Sequence, residues 1–228
     1  VDGNMDYSLA GPAATVDTDN DGFVDTVYVG DLGGDVWRFK FCLGSTSGCS
    51  TSNWSAGMLF ETSSGNIRPI YTMPTVAKDD LGNMWVYFGT GDLMDPTASN
   101  AQEKMYAVKD NDRTTKYTLS ALDNITSGTY NGTDAGWYIN LSGTGQKILA
   151  EPTVFQGVLY FTSYNPANAN DPCESGGEAS LWAVDYKTGA GKFSGGDRST
   201  SIGSGIPSAP VVSLNPYGGT NIYASTSE

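Results

Sequence analysis

Short runs of alternating apolar and polar residues recur along the chain, and the runs come in similar sets. Ala13-Ala14-Thr15-Val16 is followed by Val27-Tyr28-Val29-Gly30, and Met73-Pro74-Thr75-Val76 by Val86-Tyr87-Phe88-Gly89. Glu151-Pro152-Thr153-Val154 precedes Leu159-Tyr160-Phe161-Thr162, and Ala209-Pro210-Val211-Val212 precedes Ile222-Tyr223-Ala224-Ser225. Each set pairs a β-branched run with an aromatic-centred run across a turn, as expected for half-buried antiparallel strands. In three sets a further strand follows: Asp35–Phe39, Lys104–Val108 and Ser180–Val184. Leu81-Gly82-Asn83 and Gln156-Gly157 carry hairpin-turn chemistry, and Asp185-Tyr186-Lys187-Thr188-Gly189 a tight turn between strands.

A strand–turn–strand unit repeated in this way predicts an all-β chain, a modified β-propeller. Tyr28, Tyr87, Tyr160 and Tyr223 lie 59, 73 and 63 residues apart. A bare blade takes about 40–45 residues, so the blades carry loop insertions. The candidates are Ser45 to Ser52, Asp110 to Gly136 and Asn165 to Gly177. About four blade-like units are expected within one domain, at approximately 10–60, 61–136, 137–200 and 201–228. The fourth unit stops soon after its second strand, so the ring is expected to be incomplete in this chain. The rest of a longer chain, or another chain, would complete it. The alternative is an irregular β-sandwich.

Composition narrows the function. Twelve lysines and arginines face 25 aspartates and glutamates, a net charge of -13, which repels nucleic acid and anionic membrane surfaces alike. A cation is the natural partner. No run approaches the about 20 apolar residues of a membrane span. Val1-Asp2-Gly3 is neither a signal peptide nor a start methionine, so the chain reads as a mature piece or an internal fragment. Of three cysteines, Cys42 and Cys49 flank a Gly/Ser loop suited to a small disulfide, with two reduced thiols as the alternative; Cys173 is left over. There is no histidine, which removes the commonest general base and most zinc sites. No phosphate-binding loop or dinucleotide fingerprint is present. The chain is therefore read as a non-enzyme.

The most specific pattern is Asp17-Thr18-Asp19-Asn20-Asp21-Gly22-Phe23-Val24-Asp25. Carboxylates stand at loop positions 1, 3, 5 and 9, and glycine at 6 permits a sharp turn. The carbonyl of Phe23 at position 7 can then face inward. Four carboxylates in nine residues repel one another unless a hard cation sits among them, and Ca2+ fits an all-oxygen set best. Position 12 is Tyr28 and strands flank the loop, so this is not an EF-hand; Asp25 must supply the closing carboxylate. Asp79-Asp80 and Asp92 with Asp95 read as ordinary surface turns, with a second cation as the alternative at the latter. Asp110, Asn111 and Asp112 read as a polar inter-strand loop. Trp37, Trp85, Trp137 and Trp182 fall at strand positions and read as packing between blades, with a carbohydrate-stacking face as the alternative.

The run from Asp17 to Asp25 continues directly into Val27-Tyr28-Val29-Gly30-Asp31-Leu32-Gly33-Gly34-Asp35-Val36-Trp37-Arg38-Phe39. It resembles the calcium-loop blade of the PilY/PilC pilus-tip adhesin family. Arg68-Pro69-Ile70, Pro74-Thr75-Val76, Gly136-Trp137-Tyr138-Ile139, Asp171-Pro172-Cys173 and Leu181-Trp182-Ala183-Val184-Asp185-Tyr186 match in family order. The resemblance implies a carboxy-terminal propeller of a large protein on the tip of type IV pili, outside the cell. It implies minor pilins and a host or abiotic surface as partners, with roles in pilus biogenesis, extension against retraction, adhesion and twitching motility. By matching positions it implies Asp17, Asp19, Asp21, the Phe23 carbonyl and Asp25 as calcium ligands. A calcium-stabilised integrin-α-like or lectin-like propeller is one alternative, though such proteins usually repeat the loop in successive blades. A quinoprotein-like dehydrogenase fragment is the other.

Overall fold

A computed structural model describes residues 5–41, 50–62, 67–98, 101–142, 145–167, 176–215 and 218–227. Cys42, Cys49 and Cys173 lie outside the described residues. The described residues form sixteen strands and three single-turn 3-10 helices, with no α-helix among them.

The strands make four sheets in chain order. The first is built from β1 (Ala14–Val16), β2 (Thr26–Gly30), β3 (Val36–Lys40) and β4 (Ser55–Glu61), each antiparallel to the next. The second starts with β5 (Thr75–Lys78), β6 (Met84–Gly89) and β7 (Lys104–Lys109). The stretch that follows is more than a polar insertion. It lays β8 (Tyr117–Thr118) parallel to β4 on the first sheet's outer edge, and β9 (Asp123–Asn124) parallel to β10 (Gly136–Asn140) on the second. Strand β10 pairs with β7, so the second sheet runs through Asn140, past the approximate division at residues 136 and 137. The third sheet is β11 (Thr153–Phe155), β12 (Val158–Asn165), β13 (Glu178–Asp185) and β14 (Ser199–Ser204). The fourth is β15 (Val211–Leu214) with β16 (Thr220–Tyr223) alone. The architecture is an all-β propeller whose ring is not closed.

Alternation within each strand explains how the sheets stack, because successive side chains leave a strand on opposite faces. On β6, Trp85 and Tyr87 point into a cluster shared with Leu159, Phe161, Trp182 and Val184 of the third sheet. Val86 and Phe88 point the other way, into a cluster with Tyr28, Val36, Leu59 and Phe60 of the first. Every residue of β6 is consequently buried. Phe88 stacks on Tyr106 at 4.9 Å between centroids, and Phe60 tilts against both rings. Trp37, Trp85, Trp137 and Trp182 are all buried, so they pack the blades and offer no sugar-stacking platform.

The repeated motifs have physical jobs. The Thr75 hydroxyl donates to the Pro152 carbonyl, and the Thr153 hydroxyl donates to Pro210 O at 3.2 Å. Each Pro-Thr-Val run thus ties an innermost strand to the next. Gly30 and Gly89 end the aromatic-centred strands because a following isoleucine lies on them: an added Cβ would come within 2.3 Å of Ile70 and 2.5 Å of Ile148. Gln156 and Gly157 both take positive φ (47° and 79°), the two-residue turn that matches strand twist.

One buried carboxylate has a consequence for pH. Asp35 accepts the Thr62 amide at 2.7 Å, and burial pushes its carboxyl up from 3.8 to about 6, the Asp31 and Glu61 charges adding to the effect. A group raised on folding contributes stability that is complete below its unfolded value and is lost as pH rises through about 6. Asp35→Asn is expected to raise stability at pH 7.5 by roughly 1–2 kcal/mol and to leave it unchanged below pH ~4. Urea unfolding at the two pH values checks this; an equal gain at both would show that charge is not the cause.

Candidate metal centre

The acidic loop joins β1 to β2. Its backbone coils because Asn20 and Gly22 both adopt positive φ, 61° and 93°. Asparagine tolerates this region and glycine enters it without penalty. Side chains then close the loop on itself. Asp17 accepts the amides of Asp21 at 3.2 Å and Gly22 at 2.8 Å, while Asp21 accepts the Phe23 amide at 2.9 Å. Oxygens of Asp17, Asp19 and Asp21 converge within 4.8 Å of one another, and no other His/Cys/Asp/Glu group among the described residues does so. The Gly22 amide in particular holds the Asp17 carboxyl below the usual carboxylate range. The trio offers carboxylate oxygens alone, a donor set that fits a hard divalent cation.

Asp25 stands apart from that trio. Only 4% exposed, it accepts the Thr18 amide at 2.8 Å, the Thr18 hydroxyl and the Thr26 hydroxyl at 2.7 Å. It also pairs with Arg113 at 3.1 Å. The fourth carboxylate of the sequence pattern is therefore directed to protein donors and is not gathered with Asp17, Asp19 and Asp21. Phe23 carries its ring 63% exposed at the loop tip.

Arg113 belongs to the stretch after β7, 88 residues from Asp25, and no local spacing in the sequence links the two. The same stretch opens with Asp110, expected in a polar loop but found buried. Asp110 pairs with Arg38 and accepts the Tyr28 hydroxyl at 2.7 Å, joining the first two blades. Burial and the Asp110 charge push the Tyr28 phenol far up, so it stays a neutral donor.

The other acidic turns are structural. Asp79, expected at the surface, is buried; it accepts the amides of Leu81 and Asn83 and the Trp85 indole N–H at 3.0 Å. Asp31 does the same for Gly33, Asp35 and Trp37. Asp80 is exposed and meets Lys187 at 2.7 Å. Asp92 and Asp95 each accept amides of their own turn. The buried ammonium of Lys147 braces the same loop, donating to the carbonyls of Pro96 and Ala98 at 2.8 and 2.7 Å.

An open β-propeller with one coiled acidic loop on its first blade is the class that fold and site define. A family model, the PilY1 beta-propeller domain, matches residues 2–133, more than half of the chain. The chain belongs to that family. A Type IV pilus biogenesis factor PilY1 homolog of Xylella fastidiosa strain Temecula1 is 27% identical over 227 residues, covering 84% of this chain and 18% of the relative. A second PilY1 homolog of the same strain is 28% identical over 223 residues, covering 82% of this chain and 15% of the relative. The chain thus spans less than a fifth of the length of these relatives. The crystal structure of the Pseudomonas aeruginosa PilY1 C-terminal domain superposes with a TM-score of 0.70 at 18% identity, covering 93% of this chain and 58% of that one. At that identity the likeness is one of fold. No helix among the described residues is long and apolar enough to cross a membrane.

Proposed function

We propose that this chain is a calcium-binding propeller segment of a type IV pilus biogenesis factor that acts at the pilus tip, outside the cell. It works with minor pilins to initiate pili, and bound calcium biases extension against retraction. Through that balance it serves twitching motility and adhesion to host or abiotic surfaces. The rest of its own chain and the pilus tip complex are its partners. We read the segment as a binding module rather than a catalyst, because the chain has no histidine to act as general base.

The observation that carries this reading is the convergence of Asp17, Asp19 and Asp21 within 4.8 Å in a member of the PilY1 family. Those three residues would hold the ion, and the Gly22 amide keeps Asp17 charged and aimed. A bound divalent ion supplies the positive charge that lets three carboxylates share one turn.

Calorimetry with calcium on the 228-residue chain is expected to show one saturable site, weakened at least about tenfold by Asp17→Ala or Asp21→Ala. Calcium at 100 times its Kd should stabilise the fold by about 2.7 kcal/mol. Absence of saturable heat from the parent chain would sink the calcium reading. Pili and twitching unchanged when Asp21→Ala is placed in the full-length protein would sink the regulatory one.

A further inference from the structure

Asp25 and Arg113 deepen the calcium reading and rest on it. The loop has two carboxylate sets that face different cations. Asp17, Asp19 and Asp21 face the proposed ion. Asp25 faces a guanidinium: Arg113 Nη2 lies 3.1 Å from its Oδ1, Nη1 donates to the Thr18 hydroxyl at 2.7 Å, and Nη2 also donates to the Thr26 hydroxyl. One carboxylate cannot serve both cations at full strength.

The guanidinium is held under constraint. Arg113 adopts φ +58°, a region most side chains avoid, and its Nε is buried without an acceptor. Three residues earlier, Asp110 pins the same stretch to Arg38 and Tyr28. The arginine is thus presented to Asp25 by an anchored arm, while its own donors are incompletely used. Lys78 adds a second positive charge to the loop, donating to the Thr18 carbonyl at 3.3 Å without touching Asp25.

We infer that Arg113 is the resident counter-ion of Asp25 and competes with calcium for it, so that ion binding frees the arm at 111–116 from the first blade. Without the ion, the guanidinium neutralises the position-9 carboxylate and closes the loop onto the arm. With the ion, Asp25 joins Asp17, Asp19 and Asp21, and Arg113 loses its acceptor. Arg113 then sets the calcium affinity, and occupancy is reported at the junction of blades one and two. Linkage makes this reciprocal: whatever holds the arm down weakens calcium, and calcium loosens the arm.

Calorimetry on Arg113→Ala is expected to show calcium binding tightened about fivefold or more, the lower end of ordinary site coupling. Lys78→Ala removes an equal charge beside the same loop but leaves Asp25 paired, and should change affinity by no more than about twofold. Hydrogen exchange of the parent chain is expected to slow across 17–25 and quicken across 111–116 when calcium is added. If the parent binds calcium but Arg113→Ala matches Lys78→Ala, or exchange across 111–116 slows with the ion, the competition is overturned and the calcium site survives. If the parent binds no calcium, both readings fall together. Should Arg113→Ala not fold, Arg113→Lys replaces it: charge stays, the two-pronged grip is lost, and affinity must still rise measurably.

Discussion

Asp110→Ala is expected to cost about 3–5 kcal/mol of folding stability, the usual penalty for removing one partner of a buried ion pair. Arg38 is 3% exposed and Asp110 2%, so water cannot replace the lost carboxylate. The Tyr28 hydroxyl loses its acceptor in the same step. Whole domains are stable by only about 5–15 kcal/mol, so this single change should take a large share of the total. Asp110→Asn keeps an oxygen for one of the two donors and should cost less than half as much. The contrast separates loss of charge from loss of every acceptor. Urea midpoints with an unchanged slope measure both. A loss below about 1 kcal/mol for Asp110→Ala would mean that the two blades are held by apolar packing alone.

The anchor also bears on the acidic loop. Asp110 fixes the start of the arm that carries Arg113, and that arm reaches Asp25. The blade junction and the proposed ion site are thus three residues of main chain apart. Much of this structure was legible in one dimension, and the rest was hidden for a physical reason. Strands and hairpin turns are local, so the alternating runs around Tyr28, Tyr87 and Tyr160 marked β2, β6 and β12. The Pro-Thr-Val repeats were visible too, although their hydroxyl links to the next blade were not. The acidic loop was legible because Asp17, Asp19 and Asp21 act within one turn of chain. The role of Asp25 is set by Arg113, 88 residues away, and only folding brings the two together. Strand β10 shows the same limit. Its alternation announces a strand, but which sheet it joins depends on the path taken by residues 110–135. Asp110 looked like a surface residue because its neighbours Asn111 and Asp112 are polar and exposed.

The second large effect concerns a device used twice, an aspartate six residues ahead of a tryptophan. Asp31 is fully buried and accepts from Gly33 N, Asp35 N and Trp37 Nε1 at 2.8, 2.9 and 2.8 Å. Asp31→Ala strands three buried donors, each worth about 1–3 kcal/mol when left unpaired. Some of that loss is offset because removing the Asp31 charge relieves Asp35, whose carboxyl it helps to raise. The expected net is about 3–4 kcal/mol at neutral pH, growing as pH falls and Asp35 is protonated anyway. Asp31→Asn keeps an oxygen for the two amides but offers the indole no second acceptor, so it should fall well short of the alanine. Asp79 serves Leu81, Asn83 and Trp85 in the same way, but its two amide donors lie on a part-buried turn that water can reach and only the Trp85 indole is buried. Asp79→Ala should therefore cost less, about 1–2 kcal/mol. Denaturation followed by tryptophan fluorescence at pH 5 and 7.5 orders the three variants. If Asp79→Ala proves as damaging as Asp31→Ala, burial is not what makes the device strong. In that case the indole contact itself, common to both sites, carries the energy.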